Sequence, residues 1–192
     1  MELILIRHFP TTGNLERRYI GRTDEPLAKR PMTEKAYLPA EVIIASPLKR
    51  CIETASLIYP GREPVICEAL RECNFGVFEG KNYEELKHHP QYQEWLDSKG
   101  SIAFPGGEQP DQFKARCIRG FTDMAVMLFH QKTDAAAMIV HGGTIMAILE
   151  RFDPAGREFY RWQVGNGEGY VVRLNREQWM SGEREFVEIR KL

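Results

Sequence analysis

The sequence predicts an α/β sandwich built on a mostly parallel sheet. Two patterns point there. Short, continuous apolar runs of strand length recur along the chain, as expected where both faces of a sheet are covered, and they alternate with longer segments of helical periodicity. The chain has 192 residues, 43% hydrophobic and 28% charged. That length fits one domain able to bury roughly 70% of the surface its unfolded form exposes.

In chain order, Leu3-Ile4-Leu5-Ile6 is the first such run, closed by Arg7 and His8. Val42-Ile43-Ile44-Ala45 and Ala137-Met138-Ile139-Val140 read the same way, and Pro64 to Cys67 and Tyr170 to Leu174 are weaker strands. Phe186 to Ile189 suits a last edge strand. Helices are expected over Pro47–Tyr59, where Pro47 fits a first-turn position, and over Tyr83–Ser98, which Pro90 breaks or restarts. Two more are expected over Asp111–Phe129 and Thr144–Arg151.

Composition excludes several classes. Lys plus Arg number 26 against 27 Asp plus Glu, a net charge of −1, which argues against a nucleic-acid binder or a polybasic membrane binder. The apolar run at Met1–Ile6 is too short for a signal peptide, and no stretch approaches the ~20 residues of a spanning helix. Cys51, Cys67, Cys73 and Cys117 match no zinc spacing, so a cytoplasmic protein with reduced cysteines is expected, with no metal and no cofactor. His88, His89 and His130 lack ligand spacing and read as surface residues.

In a parallel sheet, ligands bind beyond the carboxyl ends of the strands. Three predicted strands end in Arg7-His8, in Ser46 with Arg50 one turn later, and in His141-Gly142-Gly143. Each has a plain structural explanation alone. Together they gather two histidines and two arginines at one edge, an arrangement costly to bury unless the site receives an anion such as a phosphate dianion.

These residues resemble the histidine phosphatase superfamily, the phosphoglycerate mutase-like proteins. Arg7-His8-Phe9-Pro10-Thr11-Thr12-Gly13-Asn14 is similar to the family's Arg-His-Gly signature with its later Thr and Asn. Tyr19-Ile20-Gly21 and Asp24-Glu25-Pro26-Leu27 resemble the next segment, and Ser46 to Ala55 fits Ser-Pro-Leu-x-Arg-x-x-x-Thr-Ala. Leu70-Arg71-Glu72 through Gly80 resembles the segment that supplies the acid, and Pro105-Gly106-Gly107-Glu108 and His141-Gly142-Gly143 complete the order. The resemblance implies a three-layer α/β/α sandwich over residues 1–192, with a cap or rim insertion at about 74–107.

It also implies a phosphomonoesterase working through a phosphohistidine. His8 would be the nucleophile and Glu72 the acid, with Glu79 as fallback. Arg7, Arg50 and His141 would grip the phosphoryl group, and Asn14, Thr11, Gly21 and Gly142 would contact substrate. Within the phosphatase branch the layout is most similar to alpha-ribazole phosphatases of cobalamin assembly. The alternatives are a phosphoglycerate mutase and a catalytically silent phosphate-binding module.

The chain departs from the pattern in places. Phe9 replaces the usual Gly, so the pocket wall beside the nucleophile is expected to differ, and Met146 replaces a common Arg. Asn166-Gly167-Glu168 is only a loose match to a late Asn segment. The stretch between Leu27 and Val42 is too short for a full crossover helix, so one sheet face is expected to be thinly covered and open to a partner subunit in a homodimer.

Overall fold

The computed structural model describes residues 1–28 and 36–192. Its core is one sheet of strands β1 (Glu2–Arg7), β2 (Val42–Ala45), β3 (Val65–Ile66), β4 (Ala135–Val140), β5 (Gly169–Leu174) and β6 (Phe186–Lys191). The spatial order is β3-β2-β4-β1-β5-β6. The first four strands are mutually parallel, whereas β5 runs antiparallel to β1 and β6 antiparallel to β5. The sheet is therefore mixed, with an antiparallel flank on a parallel body.

The helices among the described residues are α1 (Thr12–Leu15), α2 (Lys49–Ile58), α3 (Tyr83–Leu86), α4 (Pro90–Asp97), α5 (Pro110–His130), α6 (Gly142–Phe152) and α7 (Arg176–Ser181). Pro90 does restart a helix, occupying the first turn of α4, where its missing N–H costs nothing. The helix expected from Pro47 begins at Lys49, because Leu48 is still extended.

Alternation of side chains along the strands divides the core. Leu3, Leu5, Ile44, Met138, Val140 and Val172 face α5 and α6, meeting Phe121, Leu128, Ile145 and Phe152. Ile4, Ile6, Ile43, Ala137, Ile139 and Val171 face the other way, towards Cys51 and Ala55 of α2. The expected open apolar face is not found there. Those strand side chains are 0–2% exposed, because Tyr37, Leu38, Ala40, Ile58, Tyr59 and Leu192 pack around the helix. Half of the short crossover, residues 29–35, lies outside the described residues.

Register explains the position of the site. Arg7 sits opposite Val140, and Ala45 opposite Ile139. Since β1, β2 and β4 are parallel, the segments starting at His8, Ser46 and His141 leave the sheet side by side. Strand β5 runs the other way, so the loop before it, 163–168, arrives at the same edge. The 74–107 segment has a separate apolar centre in which Phe78, Leu86 and Tyr92 are buried against Tyr19, Phe75, Trp95 and Phe104.

Candidate active site

At this edge lies a cavity of about 410 Å3. Arg7, His8, Asn14, Glu72, Gly142 and Gly143 form its polar floor, while Tyr19, Ile20, Phe75, Met146 and Val164 form apolar walls, with Arg18 and Gln163 also lining it. Of the residues expected at the site, Arg50 and His141 lie behind this lining, fully buried.

His8 is 3% exposed. Its Nδ1 lies 2.6 Å from the carbonyl oxygen of Phe9. A carbonyl only accepts, so Nδ1 carries the hydrogen and Nε2 keeps a free lone pair. Burial, with Arg50 and Arg7 nearby, lowers the His8 pKa from 6.5 to about 3. The ring is thus a neutral imidazole with its basic nitrogen fixed by the backbone. His141 stands edge-on to it, with ring centroids 5.2 Å apart. Its Nε2 lies 2.7 Å from Ser46 Oγ, and burial, followed by Arg50, holds its pKa well below the ordinary value.

The two arginines are anchored at their tips. Arg7 Nη1 donates to Val164 O at 2.7 Å. Arg50 Nη1 donates to Thr23 O at 2.6 Å and its Nη2 to Gly21 O at 2.7 Å. In both, the buried Nε has no hydrogen-bond partner. A buried donor left unpaired costs about 1–3 kcal/mol. Two such donors around a neutral histidine make an electropositive recess suited to an anion.

Glu72 faces this group. Its Oε1 accepts from Cys73 N at 2.9 Å and its Oε2 from Gly143 N at 3.2 Å, at the start of α6. Burial raises its pKa, outweighing those two donors and the pull of Arg50 and Arg7. The carboxyl is therefore biased towards its protonated form. Gly143 is closely enclosed here, since a Cβ would lie 2.5 Å from Glu72 Oε1 and displace that carboxyl. At Gly142 a Cβ would meet Arg7 Nε at an ordinary 3.5 Å, so close approach of the backbone is required at Gly143, not Gly142.

Asn14 lines the cavity with its Oδ1 held by Thr11 N and by Asn166 Nδ2, both at 3.3 Å. Thr11 and Gly21, expected to touch substrate, lie outside the lining. Thr11 caps α1, its Oγ1 accepting from Asn14 N. Gly21 is wedged where a Cβ would come within 1.9 Å of Cys73 O. Glu79 accepts from Gly21 N, Thr23 N and Phe75 N, so it braces the loop that holds Arg50. Phe9 does not alter the cavity wall. It is 4% exposed, packed edge-on to Tyr37 and against Gly167. Asn166, only a loose match in sequence, also donates to His8 O at 2.8 Å. Among the described residues, no cluster of His, Cys, Asp and Glu could hold a metal, and no helix is long and apolar enough to cross a membrane.

A neutral buried histidine, two guanidinium groups and a carboxyl whose pKa is raised by burial, gathered at the carboxyl edge of a sheet, suit an enzyme of phosphate-ester chemistry. The chain belongs to the histidine phosphatase superfamily (branch 1), whose model matches residues 3–184. It is 24% identical over 193 residues to the metal-independent phosphoserine phosphatase of Arabidopsis thaliana, covering 93% of this chain and 79% of that one. It is 30% identical over 166 residues to the 2,3-bisphosphoglycerate-dependent phosphoglycerate mutase 2 of Gloeobacter violaceus, covering 79% and 75%. The alpha-ribazole phosphatase structure from Shigella flexneri superposes with a TM-score of 0.76 at 21% identity, covering 92% of each chain.

Proposed function

We propose that this histidine phosphatase hydrolyses a small phosphomonoester whose non-phosphate part is largely uncharged, through a phosphohistidine on His8. The observation that carries the reading is the bare Nε2 of His8, fixed by Phe9 O beside the two unpaired guanidinium Nε donors. Nε2 attacks phosphorus, the bond to the ester oxygen breaks, and Glu72 gives that oxygen its proton. Water then attacks the phosphohistidine, Glu72 takes the proton back, and phosphate leaves with His8 restored. Arg7, Arg50 and His141 stabilise charge on the equatorial oxygens, and Asn14 supplies its amide.

The walls favour hydrolysis over mutase chemistry. A phosphoglycerate carries a carboxylate besides its phosphate, and a mutase must hold a bisphosphorylated species. Beyond the phosphate floor the lining offers, among the described residues, one cation, Arg18, already paired with Glu16 and Glu85 at 2.6 Å each. Tyr19, Ile20, Phe75, Met146 and Val164 suit an apolar or planar body instead, with the 74–107 segment acting as a cap. Alpha-ribazole 5'-phosphate, in cytoplasmic cobalamin biosynthesis, is the specific candidate.

Phosphate release from a panel of monoesters tests this. Neutral-bodied esters should give the highest kcat/KM, above phosphoserine and 3-phosphoglycerate. Conversion of 3-phosphoglycerate to its 2-isomer faster than phosphate release would establish the mutase reading instead.

A further inference from the structure

The segment carrying Glu72 has little regular structure of its own, yet it is held at four successive carbonyls by side chains. Arg116 of α5 donates from Nη1 to Ala69 O at 2.9 Å and Arg71 O at 2.7 Å, and from Nη2 to Glu72 O at 3.2 Å. Thr144 of α6 reaches Leu70 O at 3.4 Å. The guanidinium is itself aimed by Glu108, which accepts from Arg116 Nε at 2.8 Å and Nη2 at 2.7 Å. Both side chains are about four-fifths buried, at 21% and 19% exposure. One turn further along α5, Gly120 lets the helix press against this segment, since a Cβ there would lie 2.7 Å from Ala69 Cβ. Glu108 N also donates to Asn74 O at 2.9 Å, which ties the far side of the same turn.

We propose that Arg116 and Glu108 are positioning residues for the acid: a bidentate pair, outside the cavity lining, that fixes the backbone from which the Glu72 carboxyl is aimed. The inference rests on Glu72 being the proton donor. A planar fork delivering three backbone bonds at set angles fixes orientation as well as charge, which one ammonium cannot reproduce. Proton transfer needs donor and ester oxygen within hydrogen-bond reach, so a shift of the order of an ångström is felt mainly where the leaving group needs its proton.

The test is a single-turnover comparison of alcohol release from ethyl phosphate with nitrophenol release from p-nitrophenyl phosphate, whose leaving group departs unprotonated. Arg116→Ala should slow the first step about 30-fold or more for ethyl phosphate and less than about threefold for p-nitrophenyl phosphate. Glu108→Ala should show the same selectivity more weakly, and Glu108→Gln, which keeps one acceptor, should recover most of it. Thermal melting shows that each variant is folded, and Glu108→Ala carries the test if Arg116→Ala does not fold. Equal slowing of both substrates, or no slowing, would overturn the proposal while Glu72→Gln still discriminates between them. If Glu72→Gln fails to discriminate, the acid assignment falls and takes this proposal with it.

Discussion

Holding His8 neutral in a buried recess makes the fold itself sensitive to acid. The pKa of His8 is lowered from 6.5 to about 3, so between those values the unfolded chain binds a proton that the folded chain refuses. The unfolded state then carries more protons, and stability rises with pH. The full contribution is present above 6.5 and is lost as pH falls towards 3. At pH 5 an unfolded histidine is almost wholly protonated, while a folded ring titrating near 3 is almost wholly neutral. The difference amounts to about 2 kcal/mol lost between pH 8 and pH 5 from this one residue. Urea denaturation of wild type and His8→Gln at pH 8, 6 and 5 reads it directly. Gln cannot titrate, so its stability should fall by about 2 kcal/mol less than that of wild type over the same range. Parallel pH profiles for the two proteins would refute the argument, because they would mean that His8 takes up its proton as readily when folded as when unfolded.

Glu72→Gln should convert p-nitrophenyl phosphate hydrolysis into a burst of about one equivalent of nitrophenol per site with slow turnover after it, whereas an alkyl phosphate should slow by about 10²–10⁴-fold in both steps; rapid mixing distinguishes these. Orthovanadate, drawn into the electropositive recess made by Arg7 and Arg50, should raise the melting temperature by about 5–11 °C at a hundred times its Kd. Gly143→Ala should cost activity heavily through the 2.5 Å clash with Glu72, while Gly142→Ala, with 3.5 Å clearance, should keep most of it, as steady-state rates will show. EDTA should leave turnover unchanged, since the two guanidinium groups supply the charge that a divalent ion supplies elsewhere.

The parts of the site legible in sequence are those at strand ends. His8, Ser46 and His141 each follow a continuous apolar run, and a parallel sheet necessarily brings such positions to one edge. Thr11 shows where that reasoning stops: a threonine shortly after His8 has the chemistry of a phosphate ligand, but its hydroxyl accepts from the first turn of α1. Gly21, placed by the resemblance in contact with substrate, instead sits where a Cβ would meet Cys73 O. Arg116 gave no signal because it lies on a long amphipathic helix, where an arginine is ordinarily solvated. Helix α7 was missed for a related reason. Its one buried apolar residue, Trp179, makes no periodic pattern, and only tertiary contact with Phe121, Phe152 and Phe186 accounts for it. Phe9 raised a concern over the pocket that only its packing against Tyr37 could remove.

The place of β1 in the sheet bears on how the enzyme is made. The first strand of the sheet in chain order, β1, lies between β4 and β5, at the middle of the order β3-β2-β4-β1-β5-β6. Its partners begin at Ala135 and Gly169, so a ribosome must deliver the chain as far as β4 before either flank of Glu2–Arg7 can be paired. Such long-range pairing is slow and leaves apolar strand edges exposed meanwhile. No nascent chain ending before residue 135 can therefore pair either flank of β1 beneath His8, and activity should switch on only once the chain through β5 has emerged. A ribosome-stalled series of increasing length would show phosphohistidine formation appearing abruptly, once residues beyond β5 have cleared the exit tunnel.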